Sequence, residues 1–290
     1  MKKNLIVIGL SLFSGLFLHS CKEIGPAIDF KPKEEGDTTY ITNTIPAPDP
    51  KVAYLEEFTG VQCVNCVQGH ELVASLLAQK GEQLAAVGVH SGDFSAPYVG
   101  THTSVYDFRT PEGDAINSTI YGNVPGQPTA GIDRRRFLGQ GNRATYRSAW
   151  TKYINYQLRQ PNPCNIKLTS VFDALANKLK VKAVVTFTAD VNSETKLTLL
   201  LSESGMKDAQ LLPDGSVDDN YTHRHVFRTT LTPPTGASLQ GTPSRGRVFV
   251  RNFELTPNTA WKLDSCELVG IVHNGTDSLF VLQAAKVKAR

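Results

Sequence analysis

The sequence has no segment long and apolar enough to cross a bilayer as a helix. The apolar run Leu5–Leu18 falls short of the roughly 20 residues that a spanning helix needs. A strong charge of one sign is also missing. There are 30 basic and 27 acidic residues, and loss of Lys2 and Lys3 with a leader would leave 28 against 27, a net of +1. That near balance argues against nucleic acid or another polyanion as a partner of the whole chain. No internal repeat links the two halves. Cysteines are few, and only Cys63 and Cys66 lie close together. No second tight pair stands ready to complete a four-thiolate metal site.

What is present begins at the N-terminus. Lys2 and Lys3 precede the apolar run, which ends at Leu18-His19-Ser20-Cys21. A basic head, a short apolar body and a small-residue end have the form of a secretory signal. The end resembles a bacterial lipobox, with Cys21 as the acylated first residue of the mature protein. The chain is expected on the membrane through its lipid, not across it. In the cell envelope disulfides persist, and lipidation of Cys21 would leave the even set Cys63, Cys66, Cys164 and Cys266. A Cys164–Cys266 bridge would stabilise by about 4 kcal/mol at most; two separate buried thiols are the alternative.

Periodicity divides the remainder. Residues 21–50 are polar and proline-dotted, the composition of a tether. From 51 to 160 strand and helix patterns alternate. Strands are expected at Val52–Phe58, Leu84–His90 and Thr129–Asp133, and a helix at Cys66–Lys80. Another helix is marked by Tyr146, Trp150, Ile154 and Leu158 at four-residue steps. This order predicts an α/β layer. After "RQPNPC" the pattern changes to period two, in seven runs between turn residues. Residues 161–290 therefore read as an all-β sandwich of immunoglobulin-like type.

The chemistry concentrates in "EEFTGVQCVNCVQGH" (Glu56 to His70). Cys63 follows a strand and precedes a helix, whose freed N–H groups and dipole favour a thiolate. Such a thiolate attacks a substrate disulfide, and Cys66 resolves the mixed disulfide. A covalent haem site would need histidine after Cys66, where Val67 stands. Metal binding through Cys63, Cys66 and His70, with His90 nearby, remains an alternative of suitable donor types, as does a static disulfide. His223 and His225 are expected as exposed neighbours on one strand face, although their spacing also suits a metal. Arg134, Arg135 and Arg136 read as a solvated turn.

On these residues the first half resembles a thioredoxin-fold domain. That resemblance implies that Glu57, six residues before Cys63, is a buried proton acceptor for the resolving thiol. It also implies a cis-proline facing the dithiol, assigned to Pro128 in "VPGQPTAGID" with Pro125 as competitor. The sequence departs from the pattern in Val64-Asn65 between the cysteines and Gln62 before Cys63. The expected last strand, between Phe137 and Gly141, is barely marked. With "LHSC", "VPGQPT", "HRHVFR" and "GIVHNGTDSLFVLQA", the whole chain is similar to the 28-kDa outer-membrane lipoprotein family of Bacteroidetes. The resemblance implies an outer-membrane location and two domains, α/β thioredoxin-like followed by an all-β immunoglobulin-like sandwich. The expected activity is thiol-disulfide exchange on envelope or surface proteins, without a cofactor. The alternatives are a surface interaction or adhesion lipoprotein with a locked disulfide, and a metal-binding envelope protein.

Overall fold

The computed structural model describes residues 36–275 and 279–290. The signal segment 1–20, Cys21 and the tether as far as residue 35 lie outside the described residues. In chain order come β1 (Thr38–Ile41), β2 (Ala53–Thr59), α1 (Cys66–Lys80), β3 (Leu84–His90), α2 (Pro111–Ala115), β4 (Thr129–Ile132) and β5 (Ala144–Tyr146). Next are α3 (Trp150–Gln157), β6 (Cys164–Asp173), β7 (Lys178–Phe187), β8 (Thr195–Glu203), β9 (Met206–Leu211) and β10 (Val217–His223). The chain closes with β11 (Val226–Thr230), β12 (Ala237–Ser238), β13 (Arg247–Leu255), β14 (Cys266–Asn274) and β15 (Val281–Lys288).

The fold is mostly β, with few helices and several sheets. One sheet has the order β1-β13-β7-β6; the larger runs β15-β14-β8-β11-β3-β2-β4-β5, with β12 also paired to β8. A separate β9–β10 hairpin completes the set. In the large sheet β2–β3 and β3–β11 are parallel and the other pairs antiparallel.

Strands β2 and β3 are buried at every residue, as near-continuous apolar runs covered on both faces should be. On one face α1 and α3 pack Val73, Leu76, Trp150 and Ile154 against Leu55, Ala86 and Ile132. On the other, Tyr54, Phe58, Val87 and Val89 join Ile116, Ile120, Leu200 and Val269. Strand β7 alternates between half-buried and buried residues throughout, the signature of a sheet with one face inward. Its inner residues meet alternate residues of β8 and β14 across the sandwich. Residues on either side of position 160 therefore share one sheet, and Gly36–Arg290 form one compact unit.

Several expectations need correction. Residues 36–50 were expected as tether, yet β1 pairs with β13 along Thr38–Ile41. The Asn165 side chain also holds the Ala47 carbonyl and the Asp49 amide. Tyr146, expected on a helix, lies in β5, and the α-helical turns begin at Trp150. That strand, Ala144–Tyr146, takes the place of the one expected at Phe137–Gly141. The possible Cys164–Cys266 bridge is absent: both cysteines are free and buried. Cys266 sits beside Ala289 through a backbone hydrogen bond, and the Ala289 carbonyl accepts from Ser170 on β6. Cys164 begins β6 six residues earlier, roughly 20 Å along the strand. A disulfide allows Cα atoms no more than about 7 Å apart. Burial pushes both thiols up to about 12.

Candidate redox site

The site forms where β2 ends. Gly60 turns the chain so closely under the Phe94 carbonyl that a Cβ there would overlap it. The Gln62 amide then donates to that same carbonyl at 2.9 Å. Cys63 and Cys66 follow and are bonded to each other, with an S–S distance of 2.06 Å. The Cys66 amide donates to the Cys63 carbonyl at 3.1 Å, and Cys66 is the first residue of α1.

Glu57 lies under the first turn of α1. A Cβ on Gly69 would come within 2.5 Å of Glu57 Oε1 and 3.1 Å of Pro128 Cβ, so glycine is what lets the helix approach both. Gly69 is three residues beyond Cys66 and therefore on the same side of the helix. The Gln127–Pro128 bond is cis, and Gln127 Nε2 donates to the carbonyls of Thr59 and Ser91. Pro128, rather than Pro125, is the cis-proline here. Glu57 is 4% exposed, and its Oε1 has no hydrogen-bond partner among the described residues. Burial raises its carboxyl from the ordinary 4.5 to about 8, because a carboxylate without water or a cation is costly. Glu57 also lines a cavity of about 30 Å3 with His70, Tyr221, Arg224 and His225, enough for a water molecule.

A thiolate that attacks a substrate disulfide must be within its reach, and Cys63 is covered. The residue is 4% exposed and Cys66 is fully buried, because the β9–β10 hairpin lies against the loop. The Leu211 amide donates to the Val61 carbonyl at 2.8 Å. The Gln210 side-chain amide reaches the Gly60 and Cys63 carbonyls at 3.4 and 3.3 Å. Val61, Phe108, Met206 and Val226 close the space with apolar contact. This hairpin falls outside the seven runs seen in the sequence. The turn signal Pro213-Asp214-Gly215-Ser216 between short alternating stretches could have revealed it.

Histidines gather behind the hairpin. His70 lies within hydrogen-bond distance of the Thr59 hydroxyl, 2.8 Å, and the Tyr221 hydroxyl, 2.9 Å. The His223 ring centroid stands 6.3 Å from that of His70 and 6.0 Å from that of His90. Burial lowers His70 to about 3 and His223 to about 4, and takes His90 well below its ordinary value. All three are neutral at neutral pH. The expectation of His223 and His225 as exposed strand neighbours fails: His223 is buried and β10 ends there. His225 has a positive φ of 54°. Among the described residues no three His, Cys, Asp or Glu side chains converge on a metal-binding position. The Cys63–Cys66–His70 donor set is not assembled, and its two sulfurs are bonded to each other.

Arg134 is no solvated turn residue. It is fully buried and grips both Glu56 oxygens at 2.9 Å, while Tyr54 and Tyr121 donate to the same carboxylate. Arg135 is half-buried and Arg136 exposed.

Residues 115–290, more than half of the chain, match the family described as Outer membrane protein Omp28. The chain belongs to the Omp28 family. Its location is accordingly the outer membrane. Among solved structures, HBP35 of Porphyromonas gingivalis is similar at 19% identity with a TM-score of 0.64, covering 82% of this Omp28-family chain and 75% of that one. At this identity the likeness shows a shared fold. A protein of Agrobacterium tumefaciens aligns at 14% identity and TM-score 0.49, over 84% of this chain and 97% of its own. A domain of the outer membrane lipoprotein Omp28 from Porphyromonas gingivalis aligns at 13% identity and TM-score 0.28, over 44% and 89%. No curated protein matches the sequence. The Omp28 match begins after the dithiol and includes Pro128, the basic run and the hairpin.

Proposed function

We propose that this Omp28-family chain is an outer-membrane protein, lipid-anchored through Cys21, that exchanges disulfides with envelope proteins. In this reading residues 51–160 form a thioredoxin-like layer, fused through β3 and β11 to an immunoglobulin-like sandwich at 161–290. The order β2–α1–β3, the antiparallel β4 and β5, and the dithiol between β2 and α1 support it. The observation that carries it is Glu57, a buried carboxyl whose Oε1 has no partner among the described residues, held under the turn that bears Cys66. A buried polar group without a partner costs stability, and no fold contact here needs it.

In the reduced protein the Cys63 thiolate attacks a substrate disulfide, forming a mixed disulfide and releasing one substrate thiolate. Glu57 first gives up its own proton through water in the cavity; the carboxylate so formed takes the proton of Cys66, which attacks Cys63 Sγ. The second substrate thiolate leaves, and the pair ends in the bonded state described above. Electrons move from the dithiol to the substrate, and the reverse sequence oxidises a substrate dithiol. Water in the cavity beside His70 and Tyr221 returns the Glu57 proton to solvent. The groove beside Pro128 receives the substrate backbone once the β9–β10 hairpin yields.

The test is catalysed reduction of insulin disulfides by the reduced chain, with a small thiol as electron donor. Turnover that Cys63→Ser abolishes and Glu57→Gln slows is the expected result. Absence of turnover in the native chain would leave the second reading, a surface interaction protein with a static disulfide. The 4% exposure of Cys63 is the observation that favours it.

A further inference from the structure

The near-neutral net charge conceals a separation of charge. From Arg134 to Phe172 the sequence holds eight basic residues and no acidic one. The fold removes Arg134 from the surface by pairing it with Glu56 and turns the neighbouring carboxylate Asp133 inward onto Lys51 at 2.9 Å. The anions next to this stretch are thus spent internally, and the outward cations keep their charge. Arg135, Arg136, Lys152, Tyr153 and Tyr156 line a groove of about 800 Å3 together with the 137–140 loop, and no acidic residue lines it. Burial first, and then the nearby like charge of Arg136, lowers the pKa of Arg143. Lys152 precedes Tyr156 by four residues on α3, which puts the two on one stripe.

The face is aromatic and apolar as well as basic. Tyr153 stacks on Phe137 with centroids 3.7 Å apart. Lys152 stands over the Tyr153 ring and Arg135 over the Tyr156 ring, each 5.8 Å from the centroid. Leu138 projects from the loop among these cations, 102% exposed, with its apolar surface in water.

We propose that this face docks on the anionic lipid headgroups of the outer membrane. Docking follows from the Omp28 location and the surface itself and is independent of disulfide exchange. Lysine and arginine near an anionic leaflet are attracted to it over about a Debye length. Tyrosine rings settle at headgroup depth, and an exposed leucine gains by entering the headgroup–acyl boundary. Leu138 and the tyrosines favour a lipid surface over nucleic acid. A site made for phosphates alone has no use for a projecting aliphatic side chain. A chain already tethered to the membrane needs only weak affinity here, because the tether keeps the local lipid concentration high.

The experiment uses the full chain carrying Cys21→Ser, which removes the lipid. It is sedimented with vesicles of phosphatidylcholine alone or mixed with phosphatidylglycerol. Preferential binding to the anionic vesicles, weakening as salt rises, is expected. Each cation near such a surface contributes about fivefold in affinity, so Arg136→Glu with Lys152→Glu lowers anionic-vesicle binding by about 25-fold or more. The pair Lys207→Glu and Lys262→Glu makes the same charge change at exposed positions elsewhere and leaves binding within about twofold, a small fraction of the fivefold per cation. Leu138→Ser weakens binding without altering its salt dependence. All the altered side chains are exposed, and unchanged thermal melting verifies that the variants fold. Equal binding to both vesicle types, or equal losses in the two charge-reversed variants, overturns the proposal. So does patch-dependent binding to single-stranded DNA tighter than to the anionic vesicles. Loss of insulin reduction leaves it standing.

Discussion

At the scale of single residues, Glu57 has the widest consequences. Its folded value of about 8 lies above the ordinary 4.5. Below 4.5 both folded and unfolded chains hold the proton, and no penalty arises. Between 4.5 and 8 the unfolded chain ionises and the folded one does not, so stability falls as pH rises. Glu57→Gln should therefore gain on the native chain from pH 5 to pH 7, by up to about 3 kcal/mol. Urea unfolding at the two pH values measures this; a gap that does not change with pH contradicts a raised pKa. The histidines act on the acid side. His70 at about 3 and His223 at about 4 stay neutral in the fold while the unfolded chain binds protons below about 6.5. Their contribution is complete above that value and is lost as pH falls towards 4, which the urea midpoint should follow downward. Arg134 is a separate case. Replacing it with Met leaves the Glu56 carboxylate buried without its cation, at a cost of about 3–5 kcal/mol. Arg134→Met combined with Glu56→Gln should recover part of that loss in the same measurement.

At the scale of elements, the β9–β10 hairpin covers the dithiol, and in the proposed reading its lifting sets when the pair can react. Its hold on the dithiol loop is a backbone hydrogen bond from Leu211 and the Gln210 side chain, and Asp208, accepting from the Val105 and Tyr106 amides, ties it to a separate segment. Reduction of the Cys63–Cys66 bond by a small thiol should level off as thiol concentration rises, because lifting of the hairpin becomes limiting. Leu211→Pro removes the donor to Val61 and should raise that plateau. A rate that stays linear in thiol and unchanged in the variant would mean that the hairpin is no barrier. The sequence disclosed α1 and β3 to the residue, since each is an unbroken periodic or apolar run between clear breaks. The hairpin stayed hidden for a physical reason. Met206–His223 carries four aspartates and mixes exposed with buried positions on both strands. Its order comes from partners far along the chain. The same applies to His223, whose burial is supplied by Phe108 and His90, and to Tyr146, which pairs with Thr129 in the sheet instead of extending the helix. The cis bond at Pro128 and the burial of Glu57 were legible through the thioredoxin resemblance, which sets an acidic residue six before the first cysteine and a Pro-Thr at the start of a later strand.

At the scale of the whole molecule, one sheet carries both halves. The Val226–Gly88 bridge joins β11 to β3. Tyr54, Phe58, Val87 and Val89 share a core with Leu200, Phe227, Val269 and Ile271. A fragment ending at residue 160 would expose that core and an unpaired β3 edge. It should bind a hydrophobic dye and lack a cooperative melt, while the full chain unfolds in one transition. Two independent melts in the full chain would contradict this. The redox behaviour is a property of this whole assembly, because the second half supplies both the hairpin over Cys63 and the Tyr221 wall of the Glu57 cavity. The equilibrium reduction potential of Cys63–Cys66 in the intact chain therefore tests the central claim most directly. A redox-active pair predicts a value between about −270 and −120 mV, the span of known exchange proteins. A value below about −300 mV, typical of structural disulfides, would contradict it.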